Sequence, residues 1–140
     1  MLKDLLLPMF AMVLLTASIF VTNLVVRVHA VRTKAVPARY FKTFDATGLT
    51  PPVRLTQLKN HMDNLFQVPV LFYAGCLAAM ALQVVPAHMV TLAWAYVGLR
   101  CIHTLVHTTY NRVVHRMTVF VLSNVALMVM WVRLVLAVAP

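Results

Sequence analysis

Apolar residues fill four long stretches of this 140-residue chain, and polar or basic segments separate them. The stretches cover about residues 5–28, 53–85, 89–110 and 117–138. A helix needs about 20 residues to cross the roughly 30 Å hydrocarbon core of a bilayer, and each stretch is long enough. The pattern predicts four membrane-spanning helices, called spans 1 to 4, within a single domain over residues 1–140.

The composition agrees with this pattern. Hydrophobic residues make up 62% of the chain and charged residues 11%. A soluble domain of this length cannot bury so many apolar side chains, so the chain is predicted to be an integral membrane protein. The short 2–3 and 3–4 connections make spans 2, 3 and 4 antiparallel neighbours. The predicted fold class is an all-α bundle of four transmembrane helices.

The net charge of +9 comes mainly from the loops. Nine of the twelve Lys and Arg residues lie in or beside the connections 1–2 and 3–4: Arg27, Arg32, Lys34, Arg39, Lys42, Arg54, Lys59, Arg112 and Arg116. Loops rich in Lys and Arg stay in the cytoplasm. The bias predicts a multi-pass protein with both connections in the cytoplasm and both termini outside. Basic loops beside apolar runs do not indicate a nucleic-acid partner.

Two polar stripes interrupt the apolar spans. Span 2 carries Asn60, Asp63, Asn64 and Gln67 at helical spacing, and span 3 carries Arg100, His103 and His107. Residues three, four and seven apart share one helix face. Because lipid does not tolerate polar faces, the two stripes are expected to face each other. The helical rise places Asp63 level with Arg100, and Asn60 level with His103.

Two interpretations of these stripes stay open. In the first, which ranks higher on physical grounds, they form a structural seam in which Asp63 neutralises Arg100, either within one subunit or between two. In the second, they line a pocket for a polar, anionic molecule, open towards the cytoplasmic leaflet. The second is favoured by the surrounding cations, which outnumber the one carboxylate: Lys59, Arg100, Arg112 and Arg116.

His103 and His107 are four residues apart and could ligate a metal or haem. No second pair of ligands accompanies them, because His61 and His88 are expected at other depths. The sequence therefore predicts structural hydrogen bonding and no metal site.

The combined spacing resembles that of the MAPEG family, the membrane-associated proteins in eicosanoid and glutathione metabolism. The resemblance covers spans 2 to 4 and is of the bacterial type, which implies the inner membrane. The residues that carry it are Arg54, Asn60, Asp63, Asn64 and Pro69 of span 2, with Arg100, His103, Arg116 and Phe120 of spans 3 and 4.

The resemblance implies a homotrimer that binds glutathione between subunits, near the cytoplasmic side. Carried over by position, the glutathione-binding set is Asn60, Asp63, Arg100 and His103, with Lys59 and His107 beside them. Arg116 matches the arginine that stabilises the glutathione thiolate, and is therefore the candidate catalytic residue. A cation near a thiol lowers its pKa, and the thiolate is the nucleophile.

Some positions depart from the family pattern. Asp63 is one methylene shorter than the glutamate of many members, and Gln67 is a rival match for that acid. His107 replaces a tyrosine found in some catalytic members. Two functions therefore stay open: a glutathione-dependent transferase or peroxidase acting on lipophilic electrophiles, and a non-catalytic scaffold or accessory subunit of a larger membrane complex. Whether the chain is an enzyme is not decided by its sequence.

Overall fold

The computed structural model describes residues 2–139, and its regular elements are all helical. A short 3₁₀ turn at Leu2–Leu5 leads into the first helix. The α-helices are α1 (Leu6–Arg32), α2 (Tyr40–Thr43), α3 (Val53–Gln67), α4 (Pro69–Ala81), α5 (Met89–Thr108) and α6 (Val113–Val138).

Four helical segments are long and apolar enough to cross a membrane, as the sequence predicts: Lys3–Arg32, Val53–Ala81, Met89–Thr108 and Val113–Val138. The first continues past the predicted end near residue 28, and the fourth begins four residues earlier than predicted. Basic interfacial residues continue these helices because leaving the hydrocarbon core does not require the backbone to leave the helix.

The second span is divided at Val68 into α3 and α4. Pro69 is the first residue of α4. A proline has no backbone N–H, so one intrahelical hydrogen bond is lost at this point. The sequence predicted one span continuing to residue 85, but α4 ends at Ala81 and Gln83 adopts a positive φ of 57°.

The apolar core lies among α1, α4, α5 and α6. The rings of Phe72 and Tyr96 stack there with centroids 4.6 Å apart. Trp131 of α6 lies against Gly75 of α4, and its Nε1 donates a hydrogen bond of 3.0 Å to the carbonyl of Leu71. A side chain at Gly75 would take the space of the indole ring, so this glycine permits the close approach of α4 and α6.

Aromatic residues pack together in the connection between α1 and α3. Tyr40, Phe41 and Phe44 pack edge to face, with centroids 5.2 to 5.9 Å apart. Further along, Asp45 accepts hydrogen bonds from the hydroxyl and backbone N–H of Thr47, and these bonds lower the pKa of the Asp45 carboxyl. Tyr40 also packs with Ala30 of α1 and Leu55 of α3, so the basic loop is folded against the end of the bundle.

Candidate functional site

Three polar contacts join α3 to α5 in antiparallel order. They link Gln57 to His107, His61 to Thr104, and Asn64 to Arg100. The predicted depth match between spans 2 and 3 is therefore right to within one or two residues. The partners differ from those predicted, because Asn64 rather than Asp63 contacts Arg100.

Arg100 is fully buried at the innermost of these contacts. Its Nη2 donates a hydrogen bond of 2.9 Å to the backbone carbonyl of Asn64. The guanidinium also lies over the rings of Tyr96 and Phe120, at 5.8 and 5.5 Å from the centroids. Within residues 2–139, its Nε and Nη1 have no hydrogen-bond partner. Two donor nitrogens of a buried cation are thus left for an acceptor that residues 2–139 do not supply.

Three buried histidines surround the next contact towards the basic loops. The ring of His61 lies 4.7 Å from that of His107 and 5.5 Å from that of His103, centroid to centroid. His61 Nε2 lies 3.0 Å from the hydroxyl of Thr104. The expectation that His61 lies at another depth was wrong. Among the described residues, no group of three histidine, cysteine or acidic side chains is placed to hold a metal ion.

The predicted meeting of the two polar stripes was wrong within one subunit. Arg100, His103 and His107 are buried, but Asn60, Asp63 and Gln67 are exposed. At about 100° per residue, these three side chains lie on the side of α3 opposite Leu65. The apolar side of α3 packs against the bundle, so the amide and carboxylate groups point outwards.

Asp63 pairs with Lys59 instead of Arg100. The Lys59 Nζ lies 3.0 Å from the Asp63 Oδ2, one helical turn away on the same exposed face. The predicted ion pair between Asp63 and Arg100 is therefore not formed inside the chain. Its alternative form, between two subunits, stays a prediction.

Arg116 lies at the start of α6 and is half-buried. Its Nη1 donates a hydrogen bond of 2.9 Å to Asn111 Oδ1. Phe120 follows Arg116 by one helical turn, and its ring centroid lies 5.7 Å from that of His103. Arg116 is therefore roughly level with His107, at the end of the bundle that carries the basic loops. Arg116 thus lies at the start of the fourth span, and its catalytic role stays a prediction.

The outward polar face reaches deep into the second span. Asn64 contacts Arg100, which is eight residues, or about 12 Å, from the end of α5 at Thr108. Gln67 is one turn deeper than Asp63, near the middle of a hydrocarbon core of roughly 30 Å. Polar side chains at this depth are rarely exposed to lipid, so a cover over this face of α3 is expected.

The sequence interpretation missed the roles of Gln57 and His61. A signal was present in the apolar pattern of α3. Leu58 and Leu65 are buried, and His61 lies between them on the same face. Placing these leucines inwards would have turned His61 towards α5 and the charged stripe outwards.

Four long apolar helices, with a buried arginine and three buried histidines between the second and third spans, define an integral, multi-pass membrane protein. The model of the MAPEG family matches residues 5–136, nearly the whole chain, and the chain therefore belongs to the MAPEG family. No curated protein and no solved structure matches it.

Proposed function

We propose that this MAPEG protein binds glutathione on the outward polar face of α3 and transfers it to, or uses it to reduce, lipophilic electrophiles. The observation that carries the proposal is the pairing of this face with Arg100. Asn60, Asp63 and Gln67 are exposed at a membrane depth where lipid is not a suitable neighbour. Beside them, Arg100 holds two donors without an acceptor in the described chain.

The groups on this face suit a small zwitterionic peptide. Glutathione carries two carboxylates, one ammonium group and two amides. Asp63 would hold the ammonium group, Asn60 would bond the peptide and Lys59 would hold one carboxylate. Arg100 is fully buried behind this face, so its contact with the second carboxylate would require the side chains that cover it to move. The shorter side chain of Asp63 is still accessible to a ligand on this face, because more than half of it is exposed (53%). The residues present therefore fit the tripeptide.

His103 and His107 do not reach this face. Both are 2% exposed and pack against His61, nearer the basic loops than Arg100. Their burial favours a supporting role, in which they hold α3 and α5 in register. Direct contact with glutathione, as the resemblance implies, would require the bundle to open.

Arg116 is the proposed catalytic residue. Glutathione supplies the sulfur nucleophile, which reacts as a thiolate. Arg116 would place its positive charge near the sulfur and hold it ionised at neutral pH. The side chain is half-buried and donates a hydrogen bond to Asn111. The guanidinium is therefore held in one orientation before the ligand binds. A fixed cation of this kind costs little reorganisation during the reaction.

A homotrimer is part of the proposal. A second subunit that packs on the polar face of α3 would cover Gln67 and enclose the tripeptide. Large apolar residues are exposed on α1 and α6 as well, and these faces suit lipid and lipophilic substrates that arrive from the bilayer. In this arrangement the site is incomplete in a single chain.

The test is glutathione binding to purified protein in nanodiscs, measured by calorimetry together with the ultraviolet absorbance of the thiolate. The expected result is binding with thiolate absorbance. The Arg116→Ala variant should lose the absorbance and keep the oligomer. Arg112→Ala, which removes an exposed charge nearby, is the matched control and should change neither. An absence of binding at millimolar glutathione would overturn the proposal and favour the accessory-subunit alternative.

A further inference from the structure

A furrow, made of cavities that share lining residues, runs along α1 on the outside of the bundle. It consists of three adjoining cavities of about 370, 150 and 400 Å³. The first cavity shares Phe20 with the second, and the second shares Arg27 with the third. The furrow therefore leads from the middle of the first span to the end that carries the basic loops.

The inner part of the furrow is apolar and has the length of an acyl chain. It is lined by Val13, Ala17 and Phe20 of α1, and by Phe66 and Val70 on the facing helices. From Val13 to Arg27 the helical rise is about 21 Å. One leaflet contributes about half of the roughly 30 Å hydrocarbon core. A chain anchored beyond the core at Arg27 can thus follow the furrow to the bilayer midplane.

The outer part of the furrow is cationic. The Arg27 guanidinium lies over Phe41 and Phe44, at 5.6 and 5.0 Å from their centroids. Neither ring is a strong hydrogen-bond acceptor, so the N–H groups of Arg27 stay available for an anion. Within residues 2–139, Arg27 forms no side-chain hydrogen bond or ion pair. Arg32, which is exposed, lines the same cavity.

We propose that this furrow is a binding site for an anionic phospholipid of the surrounding bilayer. The phosphate lies between Arg27 and Arg32, and one acyl chain lies along Phe20, Ala17 and Val13. Charge complementarity selects this occupant, because the furrow joins two arginines without an acid to an apolar channel of acyl length. The site is separate from the α3 face proposed for glutathione, so either assignment can fail alone.

The binding test uses the delipidated full chain and four probes that separate the parts of the ligand. The probes are phosphatidylglycerol, phosphatidylcholine, palmitate and glycerol phosphate, and binding is measured by native mass spectrometry and by the thermal shift. We expect phosphatidylglycerol to bind more tightly than the other three. Equal binding of phosphatidylcholine would overturn the role of the arginines. Binding of palmitate or glycerol phosphate as tight as that of phosphatidylglycerol would overturn the assignment to a phospholipid.

Variants locate the site. Arg27→Gln and Arg32→Gln should each weaken phosphatidylglycerol binding about fivefold, the effect expected of one basic residue near an anionic headgroup. Arg112→Gln removes an exposed charge at the same end of the bundle, outside the furrow, and should leave binding unchanged. An equal loss with Arg112→Gln would reduce the effect to general surface charge and overturn the proposal.

A matched pair of tryptophan variants tests the inner, apolar part of the furrow. Ala17→Trp fills the furrow and should abolish phosphatidylglycerol binding, whereas Ser18→Trp, exposed on the adjacent face, should not. A neighbouring subunit is the other conceivable occupant. If Ala17→Trp dissociates the oligomer and leaves phosphatidylglycerol binding intact, the furrow is a subunit contact and the proposal is overturned.

Discussion

The buried guanidinium of Arg100 is bonded to the backbone carbonyl of Asn64, at 2.9 Å, and not to the neighbouring carboxylate of Asp63. A carbonyl dipole compensates a positive charge only partly. The cost of burying this charge is therefore offset by the rings of Tyr96 and Phe120 and not by an ion pair inside the chain. This arrangement favours a role for Arg100 in binding an anion over a role in stability.

The first prediction separates these two roles. Arg100→Met keeps much of the side-chain volume and removes the charge. We expect the free energy of unfolding to stay within about 1 kcal/mol of the wild type or to rise, because apolar replacements of buried charges are often neutral or stabilising. Glutathione binding should be lost. Arg100→Ala, which leaves a cavity, is the comparison and should destabilise. A large loss of stability in Arg100→Met would show that the arginine is structural.

The second prediction concerns the contact between His61 and Thr104. Thr104→Val removes the hydroxyl and leaves His61 Nε2 without its buried partner. Hydrogen bonds between membrane helices contribute about 0.6 kcal/mol on average, and up to about 2 kcal/mol, so a loss in this range is expected. Reversible unfolding in mixed micelles measures it. Thr118→Val, whose hydroxyl bonds only its own helix backbone, is the control. Equal effects of the two changes would contradict a special role for the interhelical contact.

The third prediction tests the close approach of α4 and α6. A Cβ at Gly75 would lie 3.3 Å from atoms of the Trp131 indole, so Gly75→Ala should displace the ring and weaken its bond to Leu71. We expect a lower melting temperature and a shifted tryptophan emission. Gly98→Ala is the matched control, since its Cβ would meet nothing within 4 Å. An alanine there should leave stability unchanged or raise it by up to about 1 kcal/mol through helix propensity.

The fourth prediction is that protein covers the outward polar face of α3. A spin label at Gln67→Cys should be shielded from oxygen dissolved in the bilayer. Labels at Ile102→Cys and Val125→Cys, on exposed apolar faces of α5 and α6, should be accessible. The native Cys76 and Cys101 are first replaced by alanine. Full oxygen access at position 67 would show that this face meets lipid, and would remove the basis for subunit packing there.

The fifth prediction concerns orientation. The basic loops predict that the connection after α1 lies in the cytoplasm and that the turn between α4 and α5 lies outside. Arg133 donates a hydrogen bond to the carbonyl of Ala87 at that turn, which lies at the opposite end from the basic loops. A membrane-impermeant maleimide added to intact cells should label Ala87→Cys and not Lys34→Cys. The reverse pattern would invert the topology.

The number of spans, the family and the level of Arg100 along its span were predictable from the amino-acid sequence, although the level of His61 was not predicted. These properties follow from hydrophobic length and from the constant rise of a helix, which need no knowledge of neighbouring chains. The level of Arg100 on span 3 was therefore predicted to within one residue of its partner on span 2. The break at Pro69 was not predicted, although the residue was visible in the span.

The inward face of α3 was not predicted from its polar stripe and is set by side-chain packing in the folded chain. Neighbouring helix positions differ by about 100° around the axis, so an error of one residue exchanges a buried side chain for an exposed one. Leu58 and Leu65 pack into the bundle and bring His61 with them, which leaves Asp63 outside beside Lys59. Polarity alone could not reveal this, because a polar stripe can be covered equally well by a helix of the same chain, by another subunit or by a ligand. Packing of the apolar side chains chose the inward face, and the outward polar face followed from it.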